Sequence, residues 1–62
     1  MDILTMARAM GAARAELSRQ AAEGPAAPTV GFDGWPTEVA IDGRVDMEAL
    51  VKAVLAEVTT GS

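Results

Sequence analysis

Neither cysteine nor histidine occurs anywhere in the 62 residues. A domain of this size buries only about 60% of the surface that its unfolded chain exposes, and disulfides, metal ions or association are the usual supplements. Without thiols there is no disulfide, and with neither thiols nor imidazoles a zinc site is close to excluded. The fold must rest on a small apolar core, and association is the supplement that remains. The expectation is a single small domain spanning 1–62.

Residues 2–23 contain no proline and a single glycine, Gly11, among residues that favour helix. The composition predicts a helix over 2–23. Along it Ile3, Met6, Met10, Ala13 and Leu17 follow a 3,4,3,4 spacing, the a/d seam of a coiled coil, until Gln20 takes the next d position. Such a seam either packs on the sheet of its own domain or meets another protein or copies of itself. Ala7, Gly11 and Ala15 form a second line of small residues beside it, where a neighbouring backbone could approach. Gly11 costs roughly 1 kcal/mol relative to alanine in a helix, a cost that close packing would explain.

Gly24, Pro25 and Pro28 stop the helix and make a short stiff connection. A β-hairpin is predicted over 28–42, with Asp33-Gly34 as a two-residue turn and Thr37, Val39 and Ile41 forming one face. Phe32 and Trp35 flank that turn, and they either close the small core or, for Trp35, anchor a protein interface. Because an isolated hairpin is marginal, it must add to a partner's sheet or rest on the helices. Pro36 has to sit where no ladder donor is required.

A second turn at Asp42-Gly43-Arg44 leads to a helix predicted over 46–58, with Asp46 as N-cap and a hydrophobic staple between Val45 and Leu50. Met47, Leu50, Val51, Val54, Leu55 and Val58 make a broad apolar stripe, with Glu48, Lys52 and Glu57 off it. Residues 59–62 read as a frayed tail. The fold class is α+β: N-terminal helix, short β-hairpin, C-terminal helix.

The residue inventory removes most catalytic chemistry. With no histidine, cysteine or tyrosine, no Ser-His pair, thiolate or imidazole relay can be built. Asp33, Glu38, Asp42 and Asp46 lie at turns, strand edges or a cap, where solvation or capping explains them better than a catalytic pair. The stretch 42–46 lacks the twelve-residue pattern of a calcium loop, and Gly31 and Gly34 read as hairpin glycines and not as a phosphate loop. No enzyme activity, cofactor or metal is expected. Five basic residues against nine acidic give a net charge of −4, the wrong sign for a generic nucleic-acid or anionic-membrane binder. Arg8 and Arg19 share a helix face at roughly 0° and 20°, with Arg14 apart at about 240°. No apolar run reaches the roughly 18 residues of a membrane span, and the opening of the chain does not read as a signal peptide.

The opening residues, Met1-Asp2-Ile3-Leu4-Thr5-Met6-Ala7-Arg8-Ala9-Met10, resemble the first helix of many very small bacteriophage and prophage structural proteins. That resemblance implies a non-enzymatic virion component, a decoration, fibre-anchoring or connector-type subunit of capsid or tail. It would be made in the bacterial cytoplasm and would bind a larger phage structural protein, copies of itself, or both. Ile3, Met6, Met10, Ala13, Leu17, Phe32 and Trp35 are the expected interface residues. The segments 34–42 and 47–56 are similar to the last strand and following helix of the YbaB/EbfC nucleoid-associated family, which implies a dimeric DNA-binding protein as the alternative. In that reading Arg8, Arg14 and Arg19 would be the phosphate contacts. A third expectation is a regulatory or toxin-neutralising partner that folds on binding.

Overall fold

The computed structural model describes residues 2–60. Helix α1 spans Ile3–Ala21, strand β1 Thr29–Gly31, strand β2 Ala40–Asp42 and helix α2 Met47–Thr60. The α+β order of helix, hairpin and helix is the one expected from the sequence.

Helix α1 starts one residue later than predicted because Asp2 is its cap. Asp2 is extended, at φ −83° and ψ 168°, and its carboxylate accepts the Thr5 N–H at 2.7 Å. This satisfies one of the amides that a helix start leaves without a partner. The far end stops at Ala21 instead of residue 23. There the Ala22 N–H turns back to the Arg19 and Gln20 carbonyls, and Gly24 takes a positive φ of 155°.

The sheet is smaller than the sequence reading. β1 and β2 pair antiparallel with Thr29 opposite Asp42, Val30 opposite Ile41 and Gly31 opposite Ala40. The expected two-residue turn at Asp33-Gly34 does not form, since neither residue adopts the positive φ that such a turn needs. Instead residues 32–39 fold into consecutive turns, with the Trp35 N–H donating to the Phe32 carbonyl at 3.0 Å. The Gly34 carbonyl accepts the Thr37 and Glu38 N–H groups and the Thr37 hydroxyl, each at 3.0 Å. Those bonds withdraw 37 and 38 from any ladder, and Pro36 has no N–H to contribute. The Trp35-Pro36 peptide is cis. Of the predicted apolar face only Ile41 lies in a strand, and it is exposed.

At the second turn Gly43 has φ +117°, and a Cβ there would stand 3.1 Å from the Pro28 Cα. Glycine is required on both counts. Asp46 caps α2 as expected, its carboxylate accepting the Ala49 N–H at 3.0 Å, while both residues of the expected staple, Val45 and Leu50, are half-buried. The helix begins at Met47 and runs into the predicted tail as far as Thr60, with the Thr59 hydroxyl donating to the Leu55 carbonyl. Met1, Gly61 and Ser62 lie outside the described residues.

Helix α1 is the middle element: α2 packs along one side of it, and β1 lies against it as well. The C-terminal end of α1 meets the start of α2, so the two helices run antiparallel from that junction. The core is thin. Among the described residues only Leu17, Gln20 and Pro28 are buried, Leu17 at 5% exposure, and the Cα framework measures 37 × 22 × 14 Å.

Candidate interaction surface

Three features meet the surface: a polar clamp where the helices join, an aromatic corner against α1, and exposed apolar strips.

The clamp centres on Gln20, the residue that interrupts the apolar seam. It is as buried as Leu17, at 5% exposure. Its amide pairs with the Asp46 backbone in both directions: Nε2 donates to the Asp46 carbonyl at 3.0 Å, and Oε1 accepts the Asp46 N–H at 2.7 Å. The side chain acts as a one-residue strand, tying the end of α1 to the cap of α2. Nε2 also donates to Glu16 Oε2 at 2.9 Å. Glu16 in turn receives Arg19 bidentately, at 2.9 Å from Nε and 2.6 Å from Nη2, while Arg19 Nη1 reaches Glu23 at 2.9 Å. Hydrogen bonds from Arg19 and then Gln20 hold the Glu16 carboxyl down at about 2, and the two glutamates push Arg19 up from its ordinary value. Every member of the group has a partner, which is what a buried amide requires.

Arg14, alone on its side of α1 in the sequence reading, lies over both aromatic residues. Its guanidinium carbon is 4.6 Å from the centre of the Phe32 ring and 5.2 Å from that of Trp35. The rings stand edge to face, with centres 5.8 Å apart at 82°. Such contacts contribute roughly 0.5–1 kcal/mol each at exposed sites. Phe32 and Trp35 are half-buried here, holding the 32–39 turns to α1.

The expected seam divides along its length. Leu17 is buried between the elements, Met10 and Ala13 are half-buried, and Ile3 and Met6 are exposed, Ile3 at 87%. The division follows from helix lengths. α1 has 19 residues and α2 has 14, and the Gln20–Asp46 clamp aligns one pair of ends, so the first turn or so of α1 overhangs α2. Ile3, Leu4 and Met6 sit on that overhang, all exposed. The small-residue line is also open: Ala7, Gly11 and Ala15 are exposed, and a Cβ on Gly11 would meet nothing within 4 Å.

The α2 stripe divides too. Leu50, Val54 and Val58 are half-buried on the side of the core, while Met47, Val51 and Leu55 form an exposed row at 62%, 47% and 55%. Glu48 and Lys52 border this row and pair with each other at 3.0 Å. An open cleft of about 520 Å³ lies beside the clamp, lined by Arg19, Glu23, Pro25, Pro28 and Arg44.

Among the described residues no three acids gather as metal ligands would, and no helix is long and apolar enough to cross a membrane. Sequence reasoning passed over Gln20 as a helix-joining residue, and it placed Arg14 only as a phosphate contact of the nucleoid-associated alternative, not over the two rings. A polar residue at a d position was the one available signal for the first. Compared with known proteins, the chain matches no family model, no curated protein and no solved structure.

Proposed function

We propose that this chain is a non-enzymatic bacteriophage virion subunit, associated with capsid or tail, that works by docking its uncovered apolar strips onto a larger structural protein or onto copies of itself. The observation that carries the association is the excess of surface. A monomeric protein of 6.4 kDa is expected to expose roughly 3,800 Å², and this chain exposes 4548 Å². The excess is apolar in part, since Ile3, Leu4, Met6, Met47, Val51 and Leu55 all stay exposed. Contiguous exposed apolar surface on a small protein marks an interaction site. The virion assignment adds to this the resemblance of residues 1–10 to the opening helix of small phage structural proteins.

The arginines support protein association over DNA binding. Of the three arginines that the DNA reading needs, Arg19 is already engaged by two glutamates and Arg14 by two rings.

The test is quantitative mass spectrometry of purified particles from the phage or prophage that encodes the chain. Stoichiometric copies in the particle are expected. Its absence from particles, together with salt-sensitive binding to duplex DNA at low micromolar concentration, would overturn the reading in favour of a nucleoid-associated one.

A further inference from the structure

We infer that the exposed row Met47, Val51 and Leu55 is a two-fold contact at which a second copy of this chain docks its own α2 antiparallel. The inference rests on the association reading above and specifies one face and one occupant for it.

The geometry starts from the spacing. Residues 47, 51 and 55 lie on one i, i+4, i+8 ridge, and two such ridges pack at about −50°, crossing near their midpoints. With Val51 at the crossing, Met47 of one copy lies opposite Leu55 of the other, so the same three residues complete both sides of an isologous contact. α2 is open to such an approach because α1 covers only its other side and neither strand contacts it.

The charge pattern selects the occupant. The chain is acidic overall, at −4, but the residues bordering this row are one acid and one base, Glu48 and Lys52. An antiparallel copy brings its Lys52 within about two residues of axial register with Glu48, and its Glu48 equally near Lys52. Both side chains are long enough to span that offset, at about 1.5 Å per residue. The contact therefore places two acids and two bases around the apolar centre and adds no net charge. A strongly acidic or basic partner would find no complement here, whereas a second copy finds its own.

The experiment is sedimentation equilibrium of the full chain from micromolar to millimolar concentration, with circular dichroism on the same samples. The native chain is expected to form a dimer that dissociates on dilution. Val51→Glu, at an exposed position, should raise the dissociation constant at least tenfold while leaving the helical spectrum unchanged. Glu48→Lys makes the border cationic at both positions, and Lys52→Glu makes it anionic at both. Each variant alone should dimerise less than the native chain, and an equimolar mixture of the two should associate at least as well as native. The internal Glu48–Lys52 pair is broken in both variants, so recovery in the mixture reports only the contact between copies. Four results overturn the inference: a monomer at every concentration, a dimer indifferent to Val51→Glu, a mixture no better than its components, or a closed trimer or larger ring. The particle analysis proposed above is independent of each of them, so this face can fail while the virion reading stands.

Discussion

Gln20 is the residue on which the relation between the helices depends. Its amide supplies both a donor and an acceptor to the Asp46 backbone from a buried position. Gln20→Ala strands both Asp46 groups and is expected to cost about 2–3 kcal/mol, because removing one partner of a buried hydrogen bond leaves the full desolvation penalty of the other. For a chain this short that lowers the thermal midpoint by about 10 °C or more, readable in a dichroism melt. Gln20→Glu keeps the acceptor but loses the donor and sets a second carboxylate against Glu16. It should be at least as damaging at pH 7, with partial recovery near pH 4 as the introduced carboxyl takes up a proton and can donate.

The native Glu16 predicts a pH dependence of its own. Its carboxyl is lowered from 4.5 to about 2 by the bonds from Arg19 and Gln20. A depressed acid binds fewer protons folded than unfolded, so its stabilisation is complete above about pH 4.5 and fades as the pH falls towards 2. Melts of the native chain should show this loss in that window, and Glu16→Gln should flatten that part of the profile. An unchanged profile in Glu16→Gln would remove Glu16 from the clamp. The pairs of Glu16 with Arg19 and Gln20 are three and four residues apart on α1 and were open to a local reading, but the bonds of Gln20 to Asp46 and the seat of Arg14 over the two rings depend on which elements pack against α1, and that is a tertiary fact. For those two the sequence signal was confined to a glutamine at a d position and an arginine on a face apart.

At the scale of elements, both helices and the Asp46 cap were legible because each rests on periodicity and local hydrogen bonding. The hairpin was legible as an element but not in its register or turn. Asp33-Gly34 has the local chemistry of a two-residue turn, yet Pro36 and the bonds gathered on the Gly34 carbonyl draw eight residues, 32–39, out of the ladder. The apolar stripes were legible as stripes. How much of each is covered was not, since that is set by the lengths of α1 and α2 and by the clamp that aligns them. Two glycine substitutions separate conformation from association. Gly43→Ala should destabilise the chain by more than 1 kcal/mol, since it meets both a positive φ and the Pro28 backbone. Gly11→Ala meets open space in mid-helix and should stabilise the isolated chain by about 1 kcal/mol in a chemical denaturation. If the line through Ala7, Gly11 and Ala15 accepts a neighbouring backbone, the same substitution weakens that association while it strengthens the fold.

As a whole molecule the chain is looser than its length requires. Its radius of gyration is 12.0 Å, against about 10.6 Å for a compact domain of 62 residues. The reason lies in the arrangement around α1: β1 touches α1, α2 touches α1, and neither strand touches α2, so each has an uncovered side. With only Leu17 and Pro28 buried among the described apolar side chains, the isolated chain has little core to oppose its conformational entropy. Association of the native state adds what the chain lacks, and by mass action that makes its stability depend on concentration. The direct test is the thermal midpoint of the native chain, followed by circular dichroism at concentrations spanning at least two decades. The account predicts a midpoint that rises steadily with protein concentration. A midpoint that stays constant over that range, in a chain fully folded at the lowest concentration, would contradict it.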